Sequence, residues 1–344
     1  MRHSATHTAV IASALIVGAT MAAATGTASA ADPQLLNLVM PDAQVMAGLN
    51  VTTAKISPFG QFLLSRISSA SVTGTDPGLQ KFIEETGFDP REDVTEVLMA
   101  SVGGKANPGG LVLAKGIFNV AKMVDAVKAQ GKGTAVSTYA GATLFTAVAP
   151  ENAPDAAKQT AHALALIGTS IAVAGDLPSV QAALDRSRQV NSISPALATK
   201  VQALGSTTDA WTVSMASLAS LIPSDLGGKG AGAAQPLQMV KNVVSSSGGV
   251  KFGSDIQITG QAVATDAPSA KAMADLVRMV GALVTMGAAQ DPQIGAAAQL
   301  IQNLKVAEDG ATVNLSLTVP ESQVETLIQA TTSSKAKPEA IRKM

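Results

Sequence analysis

The chain has 344 residues, 24 basic and 25 acidic side chains, three histidines and no cysteine, for a net charge of −1. So near-neutral a balance gives no electrostatic footprint for nucleic acid, and the absence of thiols excludes disulfides, thiolate metal sites and a lipoprotein cleavage site. Hydrophobic residues at 47% are enough for sizeable cores, whereas aromatics at 3%, with Trp211 and Tyr139 the sole members of their kinds, offer few rings to stack on sugars.

Residues 1–30 read as a signal peptide, with Arg2 at its basic start, an apolar run from Ala9 to Ala24 and the A-x-A end Ala28-Ser29-Ala30. The expected cut lies between Ala30 and Ala31. A retained membrane anchor would need a longer apolar core and a charged flank, so no transmembrane span is expected after cleavage. The mature chain would be periplasmic or extracellular. Arg2 leaves with the leader and no acid does, so the net charge becomes −2.

β-rich runs follow at Ala43 to Val51, Val94 to Val102, Gly110 to Ile117, Thr134 to Tyr139 and Ala142 to Ala149. Between them, Ser57-Pro58 opens a helix striped by Phe59, Phe62, Leu63 and Ile67, and a second helix from Gly78 to Thr86 ends at Gly87. Val120, Met123, Val124 and Val127 stripe a third. Strands at Leu164 to Ile167 and Ile171 to Ala174 lead to Asp176-Leu177-Pro178, which opens the helix Ser179 to Arg188.

The second half contains a helix at Pro195 to Leu204, a strand at Ala210 to Ala216, a helical turn at Leu218 to Ile222 and the Gly-rich loop Gly227 to Ala234. A helix at Pro236 to Val244 is expected next, then a hairpin of Val250-Lys251-Phe252 and Asp255 to Thr265 turning at Gly253-Ser254. A long helix starts at Ala267. Strands Leu304 to Ala307 and Ala311 to Val319 flank Asp309-Gly310, and Pro320-Glu321 opens a helix to Ala330.

Strand pair, helix, strand pair, helix is thus written twice, which points to an architectural duplication. Short turns between sequential strands imply antiparallel pairing. The expected fold is α+β, with two related domains at 31–190 and 191–330, each a mainly antiparallel sheet with helices packed on one face. The basic tail 331–344 is expected to be disordered. Leu38-Val39-Met40-Pro41-Asp42-Ala43, Thr86-Gly87-Phe88-Asp89-Pro90-Arg91-Glu92-Asp93 and the strand-helix from Leu113 to Met123 resemble exported bacterial proteins of unknown function. Those share a signal peptide, then a duplicated α+β region with a Gly-Phe-Asp-Pro segment before a strand. The resemblance implies no activity.

His3 and His7 lie in the leader, so the mature chain keeps only His162. One imidazole and no thiol cannot build a His/Cys zinc site. His162 opens a strand, where a half-buried imidazole is the expectation, and no G-x-S-x-G elbow supplies a nucleophile. Ser334-Lys335-Ala336-Lys337 is the only S-x-x-K, and it falls in the tail. Gly228-Lys229-Gly230-Ala231-Gly232 lacks the phosphate-loop pattern and reads as a surface loop. Asp89, Glu92, Asp93 and Glu96 contain no calcium loop; Asp89 with Glu92 three residues on reads as a capping box. No catalytic residue, metal ligand or cofactor site is therefore assigned.

One helix has binding character. Met273, Leu276, Val280 and Leu283 recur at 3,4 spacing along Ala267 to Ala288, widened by Met279 and Met286. The stripe reads either as the helix's core face on the sheet or as an adaptable Met-lined groove for an unknown protein partner or an apolar small molecule. Ile294, Leu300, Ile301 and Leu304 form a companion stripe. The leading expectation is an exported non-enzymatic binding or assembly protein; the alternatives are a periplasmic carrier of a lipid or other apolar ligand, and an exported hydrolase with an atypical carboxylate site.

Overall fold

A computed structural model describes residues 31–61, 83–103, 110–130, 133–148, 161–189, 193–217, 242–287, 298 and 301–324. The signal peptide, the Gly-rich loop, the Leu218 to Ile222 turn and the tail expected at 331–344 lie outside these residues. The chain forms two compact units that divide between Ser214 and Met215.

In the first unit, α1 (Pro33–Leu36) leads to β1 (Val45–Asn50), α2 (Val51–Ile56) and α3 (Pro90–Asp93). The hairpin β2 (Val94–Ser101) and β3 (Gly110–Gly116) is followed by α4 (Val120–Gln130), then by β4 (Thr134–Tyr139), β5 (Ala142–Ala147), β6 (His162–Ile167) and β7 (Ile171–Asp176). Two helices, α5 (Leu177–Arg186) and α6 (Pro195–Gly205), precede β8 (Ala210–Ser214). The strands run in the order β8-β1-β2-β3-β7-β6-β5-β4, each antiparallel to its neighbours.

Local chemistry sets the helix starts. Asp32, Asn50, Asp89, Asp176 and Ser194 each accept a backbone N–H from the first turn of the helix they precede, and Pro33, Pro90 and Pro195 occupy a position whose N–H has no partner to lose. Ser57 Oγ accepts the Gly60 N–H at 3.2 Å, as its reading as a cap requires. Gly87, at φ +69°, takes the left-handed conformation that ends the preceding helix. Neither α1 nor α2 is foreshadowed in the sequence, because four and six residues are too few to show a helical period.

The capping box at Asp89 differs from expectation by one residue. Asp89 Oδ1 accepts the Arg91 N–H at 2.9 Å, and the reciprocal acceptor for the Asp89 N–H is Asp93 Oδ2 at 2.8 Å, not Glu92. The single turn ends at Asp93 and β2 begins, so only Asp93 reaches back.

Alternation along the strands sends Val97, Val112, Ala114, Leu164, Leu166, Ala172 and Ala174 to one face of this sheet, where Phe88, Phe118 and Met123 of α4 pack on them. The opposite face buries Met46, Leu98, Leu111, Leu113, Ala165 and Val173. Over that face lie α1, through Leu35, and α5, through Val180, Ala183 and Leu184. The two helices are tied to each other: Arg186 donates to the Leu38 carbonyl at 3.0 Å and Asn37 Nδ2 donates to the Gln189 carbonyl at 2.9 Å.

The second unit contains β9 (Val243–Lys251), β10 (Asp255–Ala264), α7 (Ala267–Gly287), β11 (Lys305–Asp309) and β12 (Thr312–Pro320), with strand order β11-β12-β10-β9 and every neighbour antiparallel. The helix expected through Val244 is contradicted at its end, because β9 already begins at Val243. Ser245-Ser246-Ser247-Gly248-Gly249 has poor intrinsic strand preference, but it is held by a full ladder to β10. An added Cβ at Gly248 would stand 2.7 Å from the Thr259 carbonyl oxygen, so the close approach of the strands depends on glycine there.

Candidate functional site

Asp266 opens α7 by accepting the Ser269 N–H at 2.7 Å, a hydrogen bond that holds its carboxyl below the usual range. From that start the helix carries three faces. The inner face buries Ala270 and Ala274 completely against Ala264 and Val313, with Met273, Val306 and Leu315 packed around them. Farther along, an added Cβ on Gly281 would lie 3.0 Å from Ile301 Cγ2, so the small residue lets Ile301 come close.

A charged face runs beside it. Lys271 Nζ donates to Asp275 at 2.8 Å, and Arg278 donates to Asp275 at 3.0 Å, to Glu308 of β11 at 2.7 Å and to the Val306 carbonyl at 3.2 Å. The hydrogen bond from Lys271 holds the Asp275 carboxyl below its ordinary value, and Glu308 raises Arg278. These bonds fix the rotation of the helix on its sheet.

The third face is apolar and turned to solvent. Met279 is 53% exposed, Val280 48%, Leu283 59% and Met286 73%, with Leu276 half-buried at its edge. The stripe legible in sequence is therefore split: Met273 faces the core, and the other five members lie on or beside the outer face. The reading of the whole stripe as a core face is corrected by this geometry. Small residues at 270, 274 and 281 allow the helix to sit close to the sheet, and they displace the larger side chains outward. Alanine and glycine give almost no hydrophobic signal, so the true inner face was missed; the spacing of Ala270, Ala274 and Gly281 on one side of the helix was the available clue. Of the companion stripe, Ile301 packs on Gly281 and Leu304 is half-buried, while Ile294 and Leu300 lie outside the described residues.

Such a surface can do one kind of chemistry. It presents flexible thioethers and branched aliphatic groups with no hydrogen-bond donor and only weak sulfur acceptors, so it can bury another apolar surface, and covering one Leu or Met fully is worth about 1.5–3 kcal/mol.

The polar residues singled out in sequence go elsewhere. His162 is exposed at the start of β6, not half-buried, because it is the outermost residue of its strand. It stands in register with Asp176, whose carboxylate accepts both the Ser179 N–H and the Ser179 hydroxyl as a helix cap. Asp89 binds Arg91 in a bidentate pair, which holds its carboxyl below the usual range. Lys55 spans α2 and α3 by donating to the Glu92 and Val94 carbonyls, and burial lowers it. Glu96 turns away from this group to accept the Asp32 N–H at 3.0 Å. The carboxylates of Asp89, Asp93 and Glu96 thus serve different bonds, and Glu92 contributes its backbone carbonyl. Among the described residues, no three His, Cys, Asp or Glu side chains converge on a point that could hold a metal ion, and no helix is long and apolar enough to cross a membrane.

No family model and no curated protein matches the chain. Among solved structures it is similar to three crystal forms of TP0453. Form III is 11% identical with a TM-score of 0.46, covering 87% of this chain and 98% of that one. Form I is 12% identical with a TM-score of 0.45, covering 88% and 98%. Form IV is 12% identical with a TM-score of 0.47, covering 86% and 96%.

Proposed function

We propose that this chain is an exported, non-catalytic binding or assembly protein, and that it engages an apolar surface of a protein partner through the outer face of α7. The observation that carries this reading is the exposure of Met279, Val280, Leu283 and Met286 on a helix whose inner face is already filled. Exposed apolar side chains scattered singly need no explanation, whereas four on three consecutive turns form a patch, and patches mark interaction sites. Partner helices dock on such surfaces through anchors at this spacing.

Export is read from residues 1–30 and the A-x-A end at Ala30, and the resemblance to exported bacterial proteins agrees with it. Duplication is supported by connectivity. The sequence β2-β3-helix-β6-β7, interrupted by the extra hairpin β4–β5, is ordered β2-β3-β7-β6; β9-β10-helix-β11-β12 is ordered β9-β10-β12-β11. On this reading, β8 is the counterpart of β1, since each precedes its hairpin. The repeats then divide near residue 190, although the compact units divide after Ser214, because β8 pairs antiparallel with β1.

A carrier holding a lipid between α7 and its sheet is less well supported. Ala270 and Ala274 close that seam by direct packing on Ala264 and Val313, leaving the apolar surface outside. Native mass spectrometry of gently purified protein tests both readings. A protein-sized adduct that is lost in Leu283→Ser/Met286→Ser supports the proposal, a lipid-sized adduct favours the carrier, and a bare chain under every gentle condition contradicts both.

A further inference from the structure

We propose that removal of the leader after Ala30 creates a structural ion pair, in which the new α-ammonium group of Ala31 meets the Glu96 carboxylate on β2. The inference rests on the export reading above and goes beyond it, because it assigns the cleaved terminus a partner inside the fold.

The start of the mature chain is built into the first unit. Ala31 is only 6% exposed, and Leu35, Leu38 and Val39 behind it are fully buried. Asp32 makes four separate bonds: its N–H donates to Glu96 Oε1 at 3.0 Å, its Oδ1 accepts the Gln34 N–H at 2.7 Å, its carbonyl accepts the Leu36 N–H at 3.0 Å, and its Oδ2 is paired with Lys115. Glu96 and Lys115 stand opposite each other in the β2–β3 ladder, so α1, β2 and β3 bring their charges to one spot.

That spot is one positive charge short. Two carboxylates, Asp32 and Glu96, share a single ammonium, Lys115, and burial pushes the Glu96 carboxyl up. Among the described residues the other neighbours supply no cation: Asn50 lies across from Glu96 on β1, Ile171 lies across from Lys115 on β7, and Asp209, whose carbonyl accepts the Asn50 N–H, is a further buried acid. Consecutive backbone nitrogens are separated by one residue, roughly 3–4 Å. The Ala31 nitrogen therefore stands within roughly 7 Å of the Glu96 oxygen that accepts the Asp32 N–H. In a chain that continues before Ala31, this nitrogen is a neutral amide. Cleavage converts it to an ammonium, balancing two carboxylates with two cations.

The sign of the pH effect follows. An α-amine titrates at about 7.7–8.0 when free; in the proposed pair the Glu96 carboxylate raises that value in the folded protein and outweighs the lowering by burial. Its stabilisation is fully present below the free value and is lost as pH rises through the folded one.

Intact mass of the exported protein and urea unfolding at pH 6 and pH 10 test the proposal, using chains that begin at Ala31, the same chains Nα-acetylated, and both forms of Glu96→Gln. Glutamine keeps the acceptor for the Asp32 N–H, so the variant retains the local bond. The expected results are a chain beginning at Ala31, and an acetylated form whose folding equilibrium constant at pH 6 falls by about tenfold, the effect of a pKa shift of about one unit. That loss should shrink to less than about twofold at pH 10 and in Glu96→Gln. Slow amine-selective labelling of the Ala31 terminus, relative to surface lysines, is expected as well. An exported chain beginning at another residue would overturn the inference together with the cleavage site it rests on. A chain beginning at Ala31 whose acetylation costs the same with Glu96 and with Gln would overturn the ion pair alone.

Discussion

The first unit buries both faces of its sheet, with α4 on one side and α1 and α5 on the other, so Leu98, Leu113 and Val173 are enclosed as fully as Val97, Ala114 and Leu166. Among the described residues, the second unit covers only one face of its sheet. Its other sheet face is polar, carrying Gln257, Thr259, Gln261, Asn314, Ser316 and Thr318, with Gln261 donating to Asn314 across the strands at 3.1 Å. Its single long helix packs through alanines and holds its largest apolar residues away. The contrast teaches where the chain spends its apolar area: the first unit encloses it on both sides of its sheet, and the second leaves part of it exposed on the outer face of α7.

Substitutions can break or sharpen that contrast. Leu113→Ala, in the middle of the doubly covered sheet, is expected to cost about 3 kcal/mol, read in urea by the fluorescence of Trp211, the only tryptophan. Gly48→Ala comes next. An added Cβ would stand 2.4 Å from Trp211 Cε2 in the facing register position, and the forced shift of the indole is expected to cost about 2 kcal/mol with a changed emission maximum. Ala274→Leu, overfilling the inner face of α7, should cost about 1–3 kcal/mol by thermal unfolding. On the outer face of the same helix, Leu283→Ser should change stability by less than about 0.5 kcal/mol while weakening association. Equal costs on the two faces of α7 would refute the assignment of inner and outer.

Two further effects test local chemistry in the first unit. Ala140 is in the left-handed region at φ +49° beside Gly141 at +81°, forming a two-residue hairpin turn between β4 and β5. Ala140→Asn should stabilise by about 0.5–1 kcal/mol in thermal melts, since asparagine tolerates that conformation. Asp89 is held below the usual carboxylate range, first by its hydrogen bond from Arg91. The stability this provides is present above about pH 3.9 and is lost as pH falls through the folded value. The stability gap between wild type and Asp89→Asn should therefore close on acidification, as urea midpoints at pH 7 and pH 3 would show.

Most elements were legible because alternation, caps and turns agree along this chain. Val94 to Val102 alternates on a half-polar background, Asp176-Leu177-Pro178 announces a helix, and Asp309-Gly310 marks a turn whose glycine is at φ +56°. What was not legible depended on partners distant in sequence. Ser245 to Gly249 is a strand because β10 pairs with it, and α1 and α2 exist because caps and packing support helices too short to signal themselves. The stripe on α7 was visible, but its direction was not. Hydrophobic period locates large side chains, and here the contact surface is made by small ones. Glu96 was grouped with Asp89 by proximity in sequence, whereas the strand carries its side chain toward Asp32.

Oxidative footprinting of the methionines tests the central claim most directly, comparing the protein in intact cell envelopes with the purified chain. Met279 and Met286 are expected to be labelled readily once purified and to be protected in the envelope, while Met46 and Met123, both buried, stay protected in each. Equal labelling of Met279 and Met286 in the two samples would contradict an occupied α7 face.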